Sequence, residues 1–151
     1  GGVRTLISDP ATIDKELQEA DLVIGAVLIP GAAAPKLVRE ETVKKMKKGA
    51  VLVDVAIDQG GCFENSKKTS HDDPTFQVHD TLFYCVANMP GAVANTSTRA
   101  LSSATLPYIR AVANDSLDAA IKRFPGLEGG VMTRGGRLVS EPVRKAFDWE
   151  D

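Results

Sequence analysis

One carboxylate in this sequence stands where acid/base chemistry could take place. Asp58 ends an apolar run, residues 50–57 (AVLVDVAI), and is followed after Gln59 by Gly60 and Gly61, which let a backbone approach a ligand closely. A carboxylate at the end of a buried strand can exchange a proton with a bound substrate. Taken alone, the local sequence favours a simpler interpretation, an Asx-turn before two glycines.

A second polar group has a similar position, and two histidines need an interpretation. Asn88 closes another apolar run before Met89, and an amide there costs free energy unless it has a partner. His71 and His79 lack the H-E-x-x-H pattern or a paired spacing that would support a metal. We therefore predict structural roles for both histidines and no metal site.

The elements that must position these residues follow from periodicity. Apolar runs predict strands at 3–7, 22–28, 50–57 and 81–87, and helical spacing predicts helices at 12–20 and 39–48. The unbroken run at 22–28 predicts a strand buried on both faces, and residues 62–77 are predicted to be irregular. Strands alternating with helices predict an α/β fold with a parallel sheet. Loops 29–35, 58–61 and 88–91 then share its carboxyl edge, where such sheets bind ligands.

The pattern changes to helical after residue 95. A long helix is predicted at 96–113, capped by Thr96, Ser97 or Thr98, with an apolar side and a kink at Pro107. Shorter helices are predicted at 115–123 and 140–147, around a glycine-rich stretch at 126–136.

Composition excludes several classes of function. The 151 residues are 43% hydrophobic and 25% charged, as in a soluble globular protein. A net charge of −2 without a dense basic run argues against nucleic-acid binding, and no apolar run approaches the roughly 20 residues of a membrane helix. Cys62 and Cys85 do not form a C-x-x-C motif, so we expect reduced thiols in a cytoplasmic protein.

Four segments resemble a known family. They are 20–38 (ADLVIGAVLIPGAAAPKLV), 46–64 (MKKGAVLVDVAIDQGGCFE), 79–93 (HDTLFYCVANMPGAV) and 96–108 (TSTRALSSATLPY). Their order and spacing resemble the C-terminal half of the alanine dehydrogenases, in the alanine dehydrogenase/nicotinamide nucleotide transhydrogenase family. The resemblance implies a partial Rossmann-like sheet, with residues 1–95 as the second half of an NAD-binding domain. Residues 96–151 would be a crossing helix and the C-terminal part of the substrate domain, in a homo-oligomer that is usually a hexamer.

The resemblance also implies a reaction and its residues. The reaction is the NAD-dependent, reversible oxidative deamination of L-alanine to pyruvate and ammonia, with Asp58 as the catalytic aspartate. The implied cofactor contacts are Ser8 on the adenosine side, Val27, Leu28, Val55, Ala56, Ile57, Asp58, Lys67 at a phosphate, Val86, Ala87, Asn88 and Met89. The alternative for the apolar members is ordinary sheet core, and for Lys67 a solvated surface lysine. A catalytic histidine and a substrate-binding lysine of the family are expected outside this chain.

Several expectations concern the extent of the chain and the alternatives. The glycine-rich G-x-G-x-x-G turn and the acidic residue beyond it are missing, so we expect an inactive fragment that binds NAD weakly or not at all. One alternative is the NAD-binding subunit of a proton-translocating transhydrogenase, although those proteins usually carry Glu-Asn-Gly-Gly at residues 58–61. Another is a non-catalytic half-Rossmann interaction domain, which a start codon near Gly1 would favour.

Overall fold

The computed structural model describes residues 2–29 and 33–147, so residues 30–32 of the predicted loop lie outside it. Its helices are α1 (Pro10–Glu19), α2 (Glu40–Val43), α3 (Ala94–Asn114), α4 (Leu117–Arg123) and α5 (Glu141–Ala146). Its strands are β1 (Leu22–Gly25), β2 (Val51–Asp54), β3 (Thr75–Val78), β4 (Thr81–Tyr84), β5 (Thr133–Arg134) and β6 (Arg137–Leu138). The chain divides into two compact units, with the division after Met89.

The first unit contains a four-stranded sheet in the order β1-β2-β4-β3. β1 pairs with β2 in parallel, and β2 pairs with β4 in parallel. The predicted α/β class with a parallel sheet is therefore confirmed, and the chain segments that follow these three strands leave from the same edge. β3 joins β4 as an antiparallel strand, through a two-residue turn in which His79 has a φ of 52°.

Local chemistry explains the helix that precedes this sheet. Asp9 caps α1, because its carboxylate accepts hydrogen bonds from the backbone N–H groups of Ala11 (3.0 Å) and Thr12 (2.9 Å). Pro10 suits the first turn, where its missing N–H is not needed. The predicted helix at 12–20 is confirmed, although it starts two residues earlier, and its Leu17 is buried in the core.

Three other elements differ from the sequence expectation. Residues 3–7 are exposed and form no strand, because they pair with no strand in the described part of the chain. α2 ends at Val43 rather than near residue 48, and i→i+3 hydrogen bonds of Lys45 and Met46 continue the backbone as turns. β3 begins within the stretch 62–77 that was predicted to be irregular and ends one residue beyond it, since the isolated four-residue run TFQV lacks flanking apolar residues.

The expected burial of the strand at 22–28 on both faces is also wrong. β1 ends at Gly25, and Leu22 and Ile24 are 58% and 62% exposed. β1 lies at the edge of the sheet, and no described helix of this unit covers the face that these two side chains share with Leu82. The apolar run at 22–28 therefore contains residues of this exposed face as well as residues of the core.

The core of the first unit lies on the opposite face of the sheet. Leu52 and Phe83 are fully buried there. The Phe83 ring packs edge-on against Phe63, with centroids 6.0 Å apart, and in a tilted arrangement against Phe76, with centroids 5.4 Å apart.

The second unit is helical with one small hairpin. The predicted long helix is confirmed as α3, with Pro107 inside it, but Thr96, Ser97 and Thr98 do not cap it. Its N-cap is Val93, without a side-chain hydrogen bond, because the helix begins with Ala94. The apolar residues of its predicted inner side, Ala100, Leu101, Ala104, Ile109 and Val112, are exposed within this unit. α4 and α5 confirm the two shorter helices, and Ser116 caps α4.

Candidate functional site

A cleft lies at the carboxyl edge of the parallel strands. Its volume is about 220 Å³, and it is lined by Ala26, Val27, Leu28, Val55, Ala56, Asp58 and Gln59. Five of these residues belong to the set predicted as catalytic or cofactor contacts, and they come from the segments that follow β1 and β2. The lining is apolar apart from one carboxylate and one amide.

The sequence suggested that Asp58 directly follows a strand, but the structure places it further along the chain. β2 ends at Asp54, and a single turn of 3₁₀ helix, Val55–Gln59, carries Asp58 beyond the edge of the sheet. The Asp58 side chain is 58% exposed, with Oδ1 3.6 Å from the Lys68 ammonium. The structure therefore leaves this carboxylate accessible to a ligand in the cleft.

Asn88 is brought to Asp58 by the parallel arrangement of β2 and β4. The Asn88 backbone N–H donates to Oδ2 of Asp58 at 3.1 Å. Asn88 adopts a left-handed conformation with a φ of 51°, which asparagine tolerates better than most residues. His71 lies on its other side, with Nε2 3.2 Å from the Asn88 carbonyl oxygen. The sequence pointed to the side-chain amide of Asn88, whereas the contact with Asp58 is made by the Asn88 backbone N–H.

A second, larger groove adjoins the cleft. Its volume is about 470 Å³, and it lies between α1, β1 and the segment before α1. Ser8 lines this groove, and Ala26 and Val27 line both cavities. Ser8 and Asp58 therefore line two neighbouring cavities along the end of β1.

The other predicted contacts are distributed around this edge. Ile57 and Val86 are buried in the core, as the alternative interpretation of the apolar residues proposed. Ala87 and Met89 are partly buried beside Asn88. Lys67 contacts a different group, since its ammonium lies 5.0 Å from the centroid of the Phe76 ring. The neighbouring lysine, Lys68, is the one beside Asp58.

Sequence reasoning missed Asp54, which is fully buried at the end of β2. Oδ1 accepts from the Ala56 N–H at 3.0 Å, and Oδ2 accepts from the Cys62 N–H at 2.9 Å and the Phe63 N–H at 3.4 Å. The Ser66 hydroxyl also donates to Oδ2. An aspartate inside an apolar run, four residues before Asp58, was the available signal.

Sequence reasoning also missed Lys36. Its ammonium donates to three backbone carbonyl oxygens, those of Gly60 (2.6 Å), Gly61 (2.9 Å) and Phe63 (3.1 Å). A lysine after an Ala-Pro pair carries no signal of such a role, because the contact is made across 24 or more residues of chain.

The two cysteines lie close to this network but are poor nucleophiles. Burial, together with the negative charge of Asp54, raises the pKa of Cys62 to about 11. Burial also raises the pKa of Cys85. Both thiols are free, and neither contributes to a metal cluster, since the described residues contain no group of three or more side chains able to hold one.

Across residues 2–29 and 33–147, no helix has the length and apolar character needed to cross a membrane.

The topology and the cleft define the class of protein. Three parallel strands whose carboxyl ends line an apolar cleft with a carboxylate form a Rossmann-like α/β unit. The family described as alanine dehydrogenase/PNT, C-terminal domain, matches residues 1–141. The chain belongs to this family.

Relatives support the same assignment. The alanine dehydrogenase of Mycolicibacterium smegmatis is 55% identical over 148 residues, which are 98% of this chain and 40% of that protein. The alanine dehydrogenase of Halomonas elongata is 49% identical over 150 residues, or 99% of this chain and 40% of that protein. The chain therefore spans about two fifths of the length of these relatives.

Solved structures show the same fold. A structure of L-alanine dehydrogenase superimposes with a TM-score of 0.75 and 46% identity, over 93% of this chain and 39% of that one. A transhydrogenase from Sinorhizobium meliloti superimposes with a TM-score of 0.65 and 24% identity, over 88% of this chain and 36% of that one. The second similarity concerns the fold alone.

Proposed function

We propose that this chain is part of an enzyme that catalyses the NAD-dependent, reversible oxidative deamination of L-alanine to pyruvate and ammonia. The observation that carries the proposal is the exposed carboxylate of Asp58 at an apolar cleft formed by the ends of parallel strands. The name shared by relatives about half identical to this chain supports the choice of reaction.

The cavities fit part of a dinucleotide. Ligand pockets typically enclose roughly 300–1,000 Å³, so the cleft of about 220 Å³ suits one end of NAD rather than the whole molecule. We assign the nicotinamide end to this cleft, with Val27, Leu28, Val55 and Ala56 against the ring or its ribose. The adjoining groove with Ser8 would hold the adenosine side. Ile57, Val86, Ala87 and Met89 would contribute backbone atoms or core support, and Lys67 would approach a phosphate after a change of rotamer.

The residues of this chain supply acid/base chemistry in the proposed reaction. When bound in this cleft, NAD would supply the acceptor for the hydride that leaves Cα of alanine. Asp58 takes the proton that the substrate ammonium must lose before that transfer, and it assists the water that adds to the resulting iminium. The Asn88 N–H donates to Oδ2, and the Lys68 ammonium lies 3.6 Å from Oδ1, so the substrate amine would approach the carboxylate beside these two groups. Ammonia then leaves, and pyruvate remains.

Alanine-dependent NADH formation by the full-length gene product tests this proposal. We expect Asp58→Asn to lower kcat by about 100-fold or more, because it removes the proton acceptor while preserving the shape of the side chain. Asp73→Asn is the matched control, because Asp73 is exposed and does not line the cleft. NADH binding to the Asp58 variant, followed by fluorescence, should change little. Activity in Asp58→Asn equal to that of the control would exclude the assigned role.

The proposal extends to organisation and location. We assign residues 1–95 to the second half of the NAD-binding domain and residues 96–151 to the crossing helix and substrate domain, in a cytoplasmic homo-oligomer, a hexamer by the family resemblance. Light scattering on the full-length protein measures the subunit number. The transhydrogenase alternative has the weaker support, because that relative shares the fold at only 24% identity. Hydride transfer between two nicotinamide nucleotides without alanine would favour it.

A further inference from the structure

We propose that Lys36 and Asp54 are positioning residues that hold the loop at residues 59–63, Lys36 by its carbonyl oxygens and Asp54 by its N–H groups, and thereby fix Asp58. The inference rests on the proposed function for its catalytic consequence. The hold on the loop itself rests on the contacts described above.

Lys36 forms hydrogen bonds with the backbone carbonyl oxygens of the loop. An ammonium has three donors, and those of Lys36 serve three carbonyl oxygens within four residues, 60–63. The backbone around Lys36 also binds the loop. The Ala34 N–H donates to the Gln59 oxygen at 3.0 Å, and the Leu37 N–H donates to the Cys62 oxygen at 2.8 Å. The segment that carries Lys36 therefore lies along the loop beside Asp58.

Asp54 satisfies the donor side of the same loop. A buried carboxylate is costly unless its oxygens are hydrogen-bonded, and Asp54 accepts from three backbone N–H groups and one hydroxyl. Two of those N–H groups, of Cys62 and Phe63, lie in the loop, and the third, of Ala56, lies in the 3₁₀ turn that contains Asp58.

The contacts of the two groups lie on both sides of Asp58 along the chain, at Ala56 before it and at residues 60–63 after it. The 3₁₀ turn begins at its cap, Asp54, and ends where Gly60 and Gly61 donate back to it, so Asp58 has little freedom to move without the loop. A shift of about 1 Å in a catalytic group can cost on the order of 100-fold in rate. Loss of either charge should therefore loosen the loop and reduce turnover more than cofactor binding.

Hydrogen exchange and steady-state kinetics of the full-length protein test the proposal together. The main variant is Lys36→Met, and the matched control is Lys47→Met. The Lys47 ammonium also donates to a backbone carbonyl, that of Glu19 at 2.6 Å, but it lies outside the cleft. We expect Lys36→Met to speed exchange of amides within residues 56–66 by about tenfold or more, and Lys47→Met to leave them unchanged. Asp54→Asn should loosen the same amides.

The kinetic readout separates positioning from general destabilisation. We expect kcat of Lys36→Met to fall by about 10- to 100-fold while KM for NAD changes by less than about threefold. Unchanged exchange in residues 56–66, an equal effect of Lys47→Met, or unchanged kcat in spite of a loosened loop would each overturn the proposal. Absence of alanine-dependent activity in the unsubstituted protein would instead refute the proposed function, and hydrogen exchange would still decide whether the loop is held.

Discussion

Two adjacent glycines allow the packing around Asp54 to be measured directly. Gly60 and Gly61 both have positive φ values, of 90° and 75°. A Cβ on Gly60 meets no atom within 4 Å, whereas a Cβ on Gly61 would lie 2.6 Å from Oδ2 of Asp54 and 2.7 Å from Cβ of Ser66. Alanine at either position would have a strained backbone, because its φ would be positive. Only Gly61→Ala would also displace the buried carboxylate of Asp54.

The expected magnitudes differ accordingly. Gly60→Ala should lower local stability by about 1–2 kcal/mol, the usual left-handed penalty for an L-residue. Gly61→Ala should add about 1–3 kcal/mol for the displaced neighbours, a total of about 2–5 kcal/mol. Native-state hydrogen exchange of the Cys62 and Phe63 amides measures the free energy of opening in both variants. Equal losses in the two variants would refute the claim that Asp54 and Ser66 pack tightly against Gly61.

Two further predictions concern the core and its pH dependence. Phe83→Ala should lower the free energy of unfolding by about 3–5 kcal/mol in denaturant titration, because the buried ring touches two other aromatic rings, and a loss below about 1 kcal/mol would contradict this packing. The pKa of Cys62 is raised from 9.0 to about 11, so its contribution to stability is complete below pH 9 and is lost as pH rises towards 11. Cys62→Ser should flatten the decline of stability over that range, and an unchanged slope would show that another group causes it.

The parts of the fold that the sequence predicted are those where local signals and burial agree. α1 has a capping aspartate, a proline in its first turn and a buried Leu17, and each favours the same helix. The runs that became β2 and β4 are apolar because both strands are central in the sheet. A predicted helix between β1 and β2 favoured their parallel pairing, whereas β2 and β4 are parallel although a 3₁₀ turn and β3 join them.

The errors arose where tertiary contacts override the local pattern. The predicted helix at 39–48 contains glutamates and lysines, which are good helix formers, but Thr42 and Val43 are weaker ones. Lys45 and Lys47 form ion pairs with Asp14 and Asp21, on α1 and the turn after it, rather than with residues of their own segment. β3 is a strand because β4 provides a partner, and four residues alone gave no such signal. Apolar content could not distinguish the buried face of the sheet from the open face at Leu22.

The candidate site shows the same division between local and long-range information. Asp58 and Asn88 could be chosen from the sequence because each ends an apolar run, and a parallel sheet brings such ends together. Their direct contact runs through a backbone N–H, which no side-chain pattern encodes. Asp54 left only a weak signal, an aspartate inside an apolar run, and Lys36 left none, since most of the groups that they bind are main-chain atoms. A candidate for a reactive side chain can therefore be chosen from the sequence, but the groups that would fix its position are found only when the backbone of distant segments is in place.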